Sequence, residues 1–211
     1  MASGTPQTQA GAVKPEALLD HLRSDDDARF DRIYSEPVRR LSRVFWTPVA
    51  VARSAAAFLV TRPGLRVLDI GCGPGKFCLA AAMASEGHFV GVEQRRRLCE
   101  EAWRIVRNAG IRNAEFFHGD FSGLRFEDFE AFYLFNPFAE YLDPAGRSNP
   151  AGGESEAHYD GFVQEVSGRL AAAPRGTRVA TYCGICEEIP PPYDCVGGSP
   201  DGKLRFWEKS R

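Results

Sequence analysis

Lysine is scarce in this 211-residue chain, confined to Lys14, Lys76, Lys203 and Lys209, so arginine carries most of the basic charge. With 26 basic against 28 acidic residues the formal net charge is −2, and no overall positive field exists to hold a nucleic-acid backbone by neutralising its phosphates. Nucleic acid is therefore not an expected partner; a small-molecule substrate is favoured, with a protein substrate as the alternative. Long apolar runs are missing too. Nothing approaches the ~20 residues that cross a bilayer, and residues 1–13 have neither the basic nor the apolar part of a secretory signal. The expectation is a cytoplasmic protein without membrane contact. The six cysteines, Cys72, Cys78, Cys99, Cys183, Cys186 and Cys195, are too scattered for a secreted disulfide framework, so free thiols are expected. Cys183-Gly184-Ile185-Cys186 supplies one pair where a structural zinc site usually needs two, and the prolines that follow leave no room for the helix of a thioredoxin-like motif. No metal is expected. Arg95-Arg96-Arg97 reads as the solvated opening of a helix, and His21, His88 and His118 show no ligand spacing.

What is present is an apolar fraction of 44%, enough for the core of one domain. Residues 1–13 lack periodicity and read as a disordered tail, 14–62 as an N-terminal helical extension, and 63–211 as the main domain. Within the extension, helices are expected from Pro15, around Phe30–Tyr34, over Pro37–Phe45 and, after a Thr47 cap, from Val49 to Leu59. Beyond Pro63-Gly64, strand and helix patterns alternate, which implies βα units and a mostly parallel sheet. Strands are predicted at Arg66–Ile70, Phe89–Glu93, Ala114–His118, Ala131–Asn136 and Thr177–Cys183, and helices at Lys76–Ser85, Arg96–Ala109 and Glu156–Ala173. Gly197 to Gly202 is a turn cluster that folds Leu204–Glu208 back on Tyr193–Val196 as an antiparallel hairpin. Ala139–Ser155 has no periodicity and follows a strand's C-terminal end, where open α/β sheets bind ligands, so it reads as a candidate lid.

The densest signal is Val67-Leu68-Asp69-Ile70-Gly71-Cys72-Gly73-Pro74-Gly75-Lys76-Phe77, an apolar strand running through a glycine-rich turn into a helix. Glycines at 71, 73 and 75 permit a tight turn and let a nucleotide-like ligand lie against bare N–H groups. A dinucleotide fingerprint requires a third glycine where Lys76 stands, and a Walker A loop requires a Ser or Thr where Phe77 stands. The remaining pattern, D-x-G-x-G-x-G, resembles the first motif of class I, Rossmann-like S-adenosylmethionine-dependent methyltransferases.

That resemblance implies a seven-stranded, mostly parallel sheet with an antiparallel C-terminal strand, and S-adenosyl-L-methionine as cofactor. It implies that Asp69, Gly71, Cys72, Gly73, Gly75, Lys76 and Phe77 surround the methionine part, that Glu93 with Gln94 accepts the ribose hydroxyls, and that Asp120 and Phe121 meet the adenine. Asn136-Pro137-Phe138, after Phe135, is similar to the N-P-P-[YF] loop of methyltransferases that act on amine or planar nitrogens, but lacks one proline. In that loop Asn136, with the Pro137 carbonyl, orients the nucleophile, Phe138 shapes its pocket, and Asn136 borders the cofactor. Trp46 and Thr47 look like the segment that folds over the cofactor; Trp46 reads equally as an anchor for the N-terminal helices. A hydroxyl acceptor would need a base, and Glu140, Tyr141, His158 and Tyr159 are nearest in sequence. The expected activity is methyl transfer, with a small-molecule nitrogen as the favoured acceptor. Alternatives are a protein-lysine methyltransferase, suggested by the small-residue helix Ala80-Ala81-Ala82-Met83-Ala84, a non-catalytic cofactor binder and a nicotinamide oxidoreductase. A monomer or a homodimer fits equally.

Overall fold

The computed structural model describes residues 15–40, 46–135, 155–184 and 186–210, with the side chains of 155–158 excepted. Helix α1 (Pro15–Leu22), α2 (Asp27–Phe30), α3 (Glu36–Arg39) and α4 (Val49–Leu59) precede the sheet. Then follow β1 (Arg66–Ile70), α5 (Lys76–Ala84), β2 (His88–Glu93), α6 (Arg96–Ala109), β3 (Ala114–His118), β4 (Ala131–Phe135), α7 (Ser155–Ala172), β5 (Arg178–Tyr182), β6 (Tyr193–Gly198) and β7 (Leu204–Lys209). The strand order is β3-β2-β1-β4-β5-β7-β6; β7 runs antiparallel to both its neighbours, while β1 to β5 are parallel. The expected sheet, with its C-terminal hairpin, is what forms.

Strand alternation divides the core into two layers. Val67, Phe89, Ala131 and Tyr133 face the helices α1 and α4 to α6, whereas Leu68, Val90, Phe132 and Leu134 face α7 and the Phe121–Phe126–Phe129 group. Both sheet faces are covered, which is why these strands read as continuous apolar runs, and each fully buried Leu or Phe contributes about 1.5–3 kcal/mol. At the end of β7 the buried ammonium of Lys209 donates to the carbonyls of Ala171 and Ala173, satisfying orphan acceptors at the C-terminal end of α7.

Several element ends differ from expectation for local reasons. Asp26 accepts from the Arg29 amide at 2.7 Å, so the turn around Phe30 starts as α2 and continues as a 3-10 helix, Asp31–Ile33. Thr47 does not cap α4: Pro48 occupies the cap position without a side-chain bond, because the Thr47 hydroxyl is engaged by Tyr133. Strand β5 stops before Cys183, whose φ of 56° leaves the extended region. Helix α5 ends at Ala84 because Ser85 is extended, with φ −149°. The tail 1–13, the segment 41–45 and the candidate lid up to residue 154 lie outside the described residues.

Candidate cofactor site

The sheet's order reverses direction between β1 and β4, and the cavity opens at the C-terminal ends of these two strands. Its volume is about 580 Å³, within the usual range for small-molecule sites. Its walls come from Trp46 and Thr47, from Asp69 and the glycine turn through Lys76 and Phe77, from Arg95 to Leu98, and from Tyr133 and Phe135.

Gly71, Gly73 and Gly75 all have positive φ, at 74°, 56° and 79°. Gly75 is the most constrained: a Cβ there would stand 2.4 Å from the Phe116 ring. The turn is closed onto its own surroundings. The Gly71 and Cys72 amides both donate to the Val92 carbonyl at 3.0 Å, Gly75 donates to Cys72 at 2.9 Å, and Gly73 donates to Glu93 Oε2 at 2.8 Å. The expectation of bare amides at Gly71, Gly73 and Gly75 is therefore corrected, since β2 and the turn itself supply their acceptors.

Asp69, the last residue but one of β1, stands at the cavity wall, 3% exposed. Burial, reinforced by the negative charge of Glu93, pushes its carboxyl from the ordinary 3.8 up to about 8, against the lowering effect of the Cys78 thiol, which donates to Oδ2 at 3.4 Å. Phe77 stacks on Tyr133 with ring centroids 3.7 Å apart and planes 5° from parallel. The Tyr133 hydroxyl meets Thr47 Oγ1 at 2.8 Å, so the N-terminal segment is tied to β4 across the cavity. Sequence reasoning missed Tyr133. A tyrosine inside an otherwise apolar strand was the available signal, because its hydroxyl needs a buried partner.

Lys76 faces away from the role assigned to it. Although it borders the cavity, its ammonium lies 2.7 Å from Asp27 Oδ1 and 2.7 Å from Asp31 Oδ1, between the rings of Phe30 and Trp46. Glu93 is also engaged: Oε1 accepts from the Arg95 amide and from Arg95 Nε, both at 2.8 Å, and Oε2 accepts from Arg95 Nη2 at 3.2 Å. Gln94 Nε2 donates to Asp120 Oδ2 at 2.8 Å, and Asp120 Oδ1 caps the short turn Phe121–Gly123 by accepting from the Ser122 amide at 2.7 Å. Phe121 does not meet the cavity. It is 2% exposed on the opposite face of the sheet, 5.8 Å from Phe162 and under the Arg169 guanidinium, because its turn points it into that core layer.

Asn136, Pro137, Phe138, Glu140 and Tyr141 lie outside the described residues, as does the His158 side chain. Their neighbour Phe135 borders the cavity and packs on Tyr182, centroids 5.1 Å apart. Tyr159, a candidate base, is buried in the α7 layer, and burial raises its phenol further above the usual range. Arg95, Arg96 and Arg97 are exposed as expected, yet they border the cavity, which the reading as a solvated face did not foresee. Among the described residues no three His, Cys, Asp or Glu side chains gather in a way that would hold a metal ion, and no helix is long and apolar enough to cross a membrane.

Residues 61–138 match a sequence family described as a methyltransferase domain. Over 73 residues the chain is 34% identical to the 23S rRNA (uracil(1939)-C(5))-methyltransferase RlmD of Shewanella sediminis, a stretch that is 35% of this chain and 16% of that relative. The corresponding protein of Klebsiella pneumoniae is 40% identical over 68 residues, 32% of this chain and 15% of its own length. The chain thus matches only a small part of these relatives. Among solved structures, TrmN from Thermus thermophilus superposes with a TM-score of 0.56 at 18% identity, covering 77% of this chain and 49% of that one. An RNA methyltransferase from Salinibacter ruber, crystallised with S-adenosyl-L-homocysteine, gives 0.50 at 17% identity, covering 84% and 93%. A variant of MtNAS crystallised with S-adenosylmethionine gives 0.52 at 16% identity, covering 94% and 72%. The methyltransferase-domain match takes in the glycine turn and runs just past β4, and TrmN and the Salinibacter enzyme share the fold of this sheet and its helices.

Proposed function

We propose that the chain is an S-adenosylmethionine-dependent methyltransferase, and that its favoured acceptor is a nitrogen of a small molecule. The observation that carries the reading is the cavity of about 580 Å³ at the C-terminal ends of β1 and β4, walled by the glycine turn and by the buried Asp69. A cationic sulfonium and an amino group suit a pocket walled by the buried Asp69 carboxyl, with Glu93 behind the glycine turn on the Gly73 amide. In this reading the glycine turn and Asp69 hold the methionine part, Glu93 the ribose once Arg95 has moved aside, and Gln94 and Asp120 the adenine side. Residues 14–62 act as an extension over the site.

When bound, the cofactor supplies an activated methyl group, so the protein's contribution is placement and exclusion of water. In this reading Asn136, with the Pro137 carbonyl, orients the acceptor's lone pair and Phe138 shapes its pocket. A neutral amine needs no general base for this step. Thermal shift and calorimetry with S-adenosylmethionine, S-adenosylhomocysteine and NADH test the cofactor: selective stabilisation by the first two supports the reading, and indifference to both at millimolar concentration overturns it.

A second reading, RNA as the acceptor, is favoured by Arg95, Arg96 and Arg97 at the cavity and by the names of RlmD and the Salinibacter enzyme. Transfer of labelled methyl groups from the cofactor into metabolite, protein and RNA fractions separates the acceptors. Label that disappears on ribonuclease treatment would replace the small-molecule reading.

A further inference from the structure

The first residue of α5, Lys76, follows the last glycine of the turn, yet its charge is directed into the N-terminal helices. It is 4% exposed, so burial strips most of the hydration from the ammonium and two carboxylates take its place. One of them, Asp27, does double duty: the same Oδ1 that meets Lys76 also accepts from the Val49 amide at 3.0 Å, at the start of α4. Between those two anchor points runs the short stretch that forms the cavity's N-terminal wall, Trp46 and Thr47. Trp46 is held from both sides, with the ammonium 5.6 Å above its ring and Tyr34 at 4.6 Å on an edge.

We propose that Lys76 is a positioning residue that latches Trp46–Thr47 over the cavity, and so sets cofactor affinity through the N-terminal segment rather than by contact with the cofactor. The proposal rests on the cofactor reading above. Asp27 and Asp31 are its working partners. A buried cation with two carboxylates gives the segment one seat, since any displacement would strand an unsolvated charge. The seat is built on the residue that leaves the glycine turn, so the wall and the turn move as one body.

The test compares Lys76→Met, Asp27→Asn with Asp31→Asn, and all three changes together, for S-adenosylhomocysteine affinity by calorimetry and for tryptic cleavage at Arg29, Arg32, Arg39 and Arg40. If loss of the latch leaves the wall seated in one molecule in ten, apparent affinity falls about tenfold. We expect that fall in both partial variants, faster cleavage in each, no further loss on combination, and partial recovery in Lys76→Arg. Losses that add on combination would mean that Lys76 acts on the cofactor directly and would overturn the proposal, as would Lys76→Met with unchanged affinity and cleavage. Should Lys76→Met fail to fold, Asp27→Asn alone, at a half-exposed carboxylate, carries the same two readouts. If the unmodified protein binds no S-adenosylhomocysteine, the cofactor reading falls, while the cleavage rates still decide whether the latch exists.

Discussion

The hydroxyls of Thr47 and Tyr133 meet 2.8 Å apart in a buried position, and they join the segment before α4 to the middle of the central strand β4. Each is the other's partner in an apolar setting. Replacing Tyr133 with Phe keeps the stack on Phe77 but strands the Thr47 hydroxyl, which costs about 1–3 kcal/mol. Denaturant unfolding should show that loss, and Thr47→Val combined with Tyr133→Phe should recover part of it. Full recovery of stability without recovery of cofactor affinity would identify the pair as part of the site.

The buried Asp69 carboxyl, raised to about 8, links stability and binding to pH. Between the ordinary value of 3.8 and about 8 the folded protein holds a proton that the unfolded chain has released, so stability declines as pH rises through this window. Asp69→Asn should flatten that decline. Binding runs the opposite way, because a cationic sulfonium favours the ionised carboxylate. Affinity for S-adenosylmethionine should rise with pH towards 8, by no more than about tenfold per unit, and less steeply for the uncharged sulfur of S-adenosylhomocysteine. Identical pH slopes for the two would remove Asp69 from contact with the sulfonium.

Arg95 occupies both oxygens of the carboxylate assigned to the ribose. Its guanidinium competes with that ligand, so Arg95→Ala should tighten S-adenosylhomocysteine binding, by up to about fivefold for a half-exposed ion pair, while lowering thermal stability. Opposite signs are the diagnostic. Weaker binding would mean that the guanidinium remains in place and faces the cofactor itself.

At Gly75 a side chain would meet Phe116, and φ is 79°. Gly75→Ala combines left-handed strain with overpacking and should destabilise by about 3 kcal/mol. Gly110 also has positive φ, at 66°, but open space around it, and Gly110→Ala should cost about 1 kcal/mol. Equal losses in equilibrium unfolding would show that Phe116 yields freely.

The strand and helix order was legible because the apolar pattern at Val67–Ile70, Phe89–Val92 and Ala131–Leu134 requires two covered faces. The glycine turn was legible from spacing. Where side chains point was not: Lys76 and Phe121 sit within or beside motif positions, yet tertiary partners far along the chain, Asp27 and Asp31 for one and Phe162 and Arg169 for the other, take them elsewhere. The cover of Glu93 by Arg95 escaped for a related reason, since an arginine triplet opening a helix gives no sign of which member turns back.

The cavity walls among the described residues come from Trp46 to Leu98 and from Tyr133 and Phe135. Among the described residues beyond Phe135 none borders the cavity, so exchanging the solvent-facing side chains of the β6–β7 hairpin keeps every one of these walls. The far end of the sheet can thus drift in sequence without reshaping the pocket's lining.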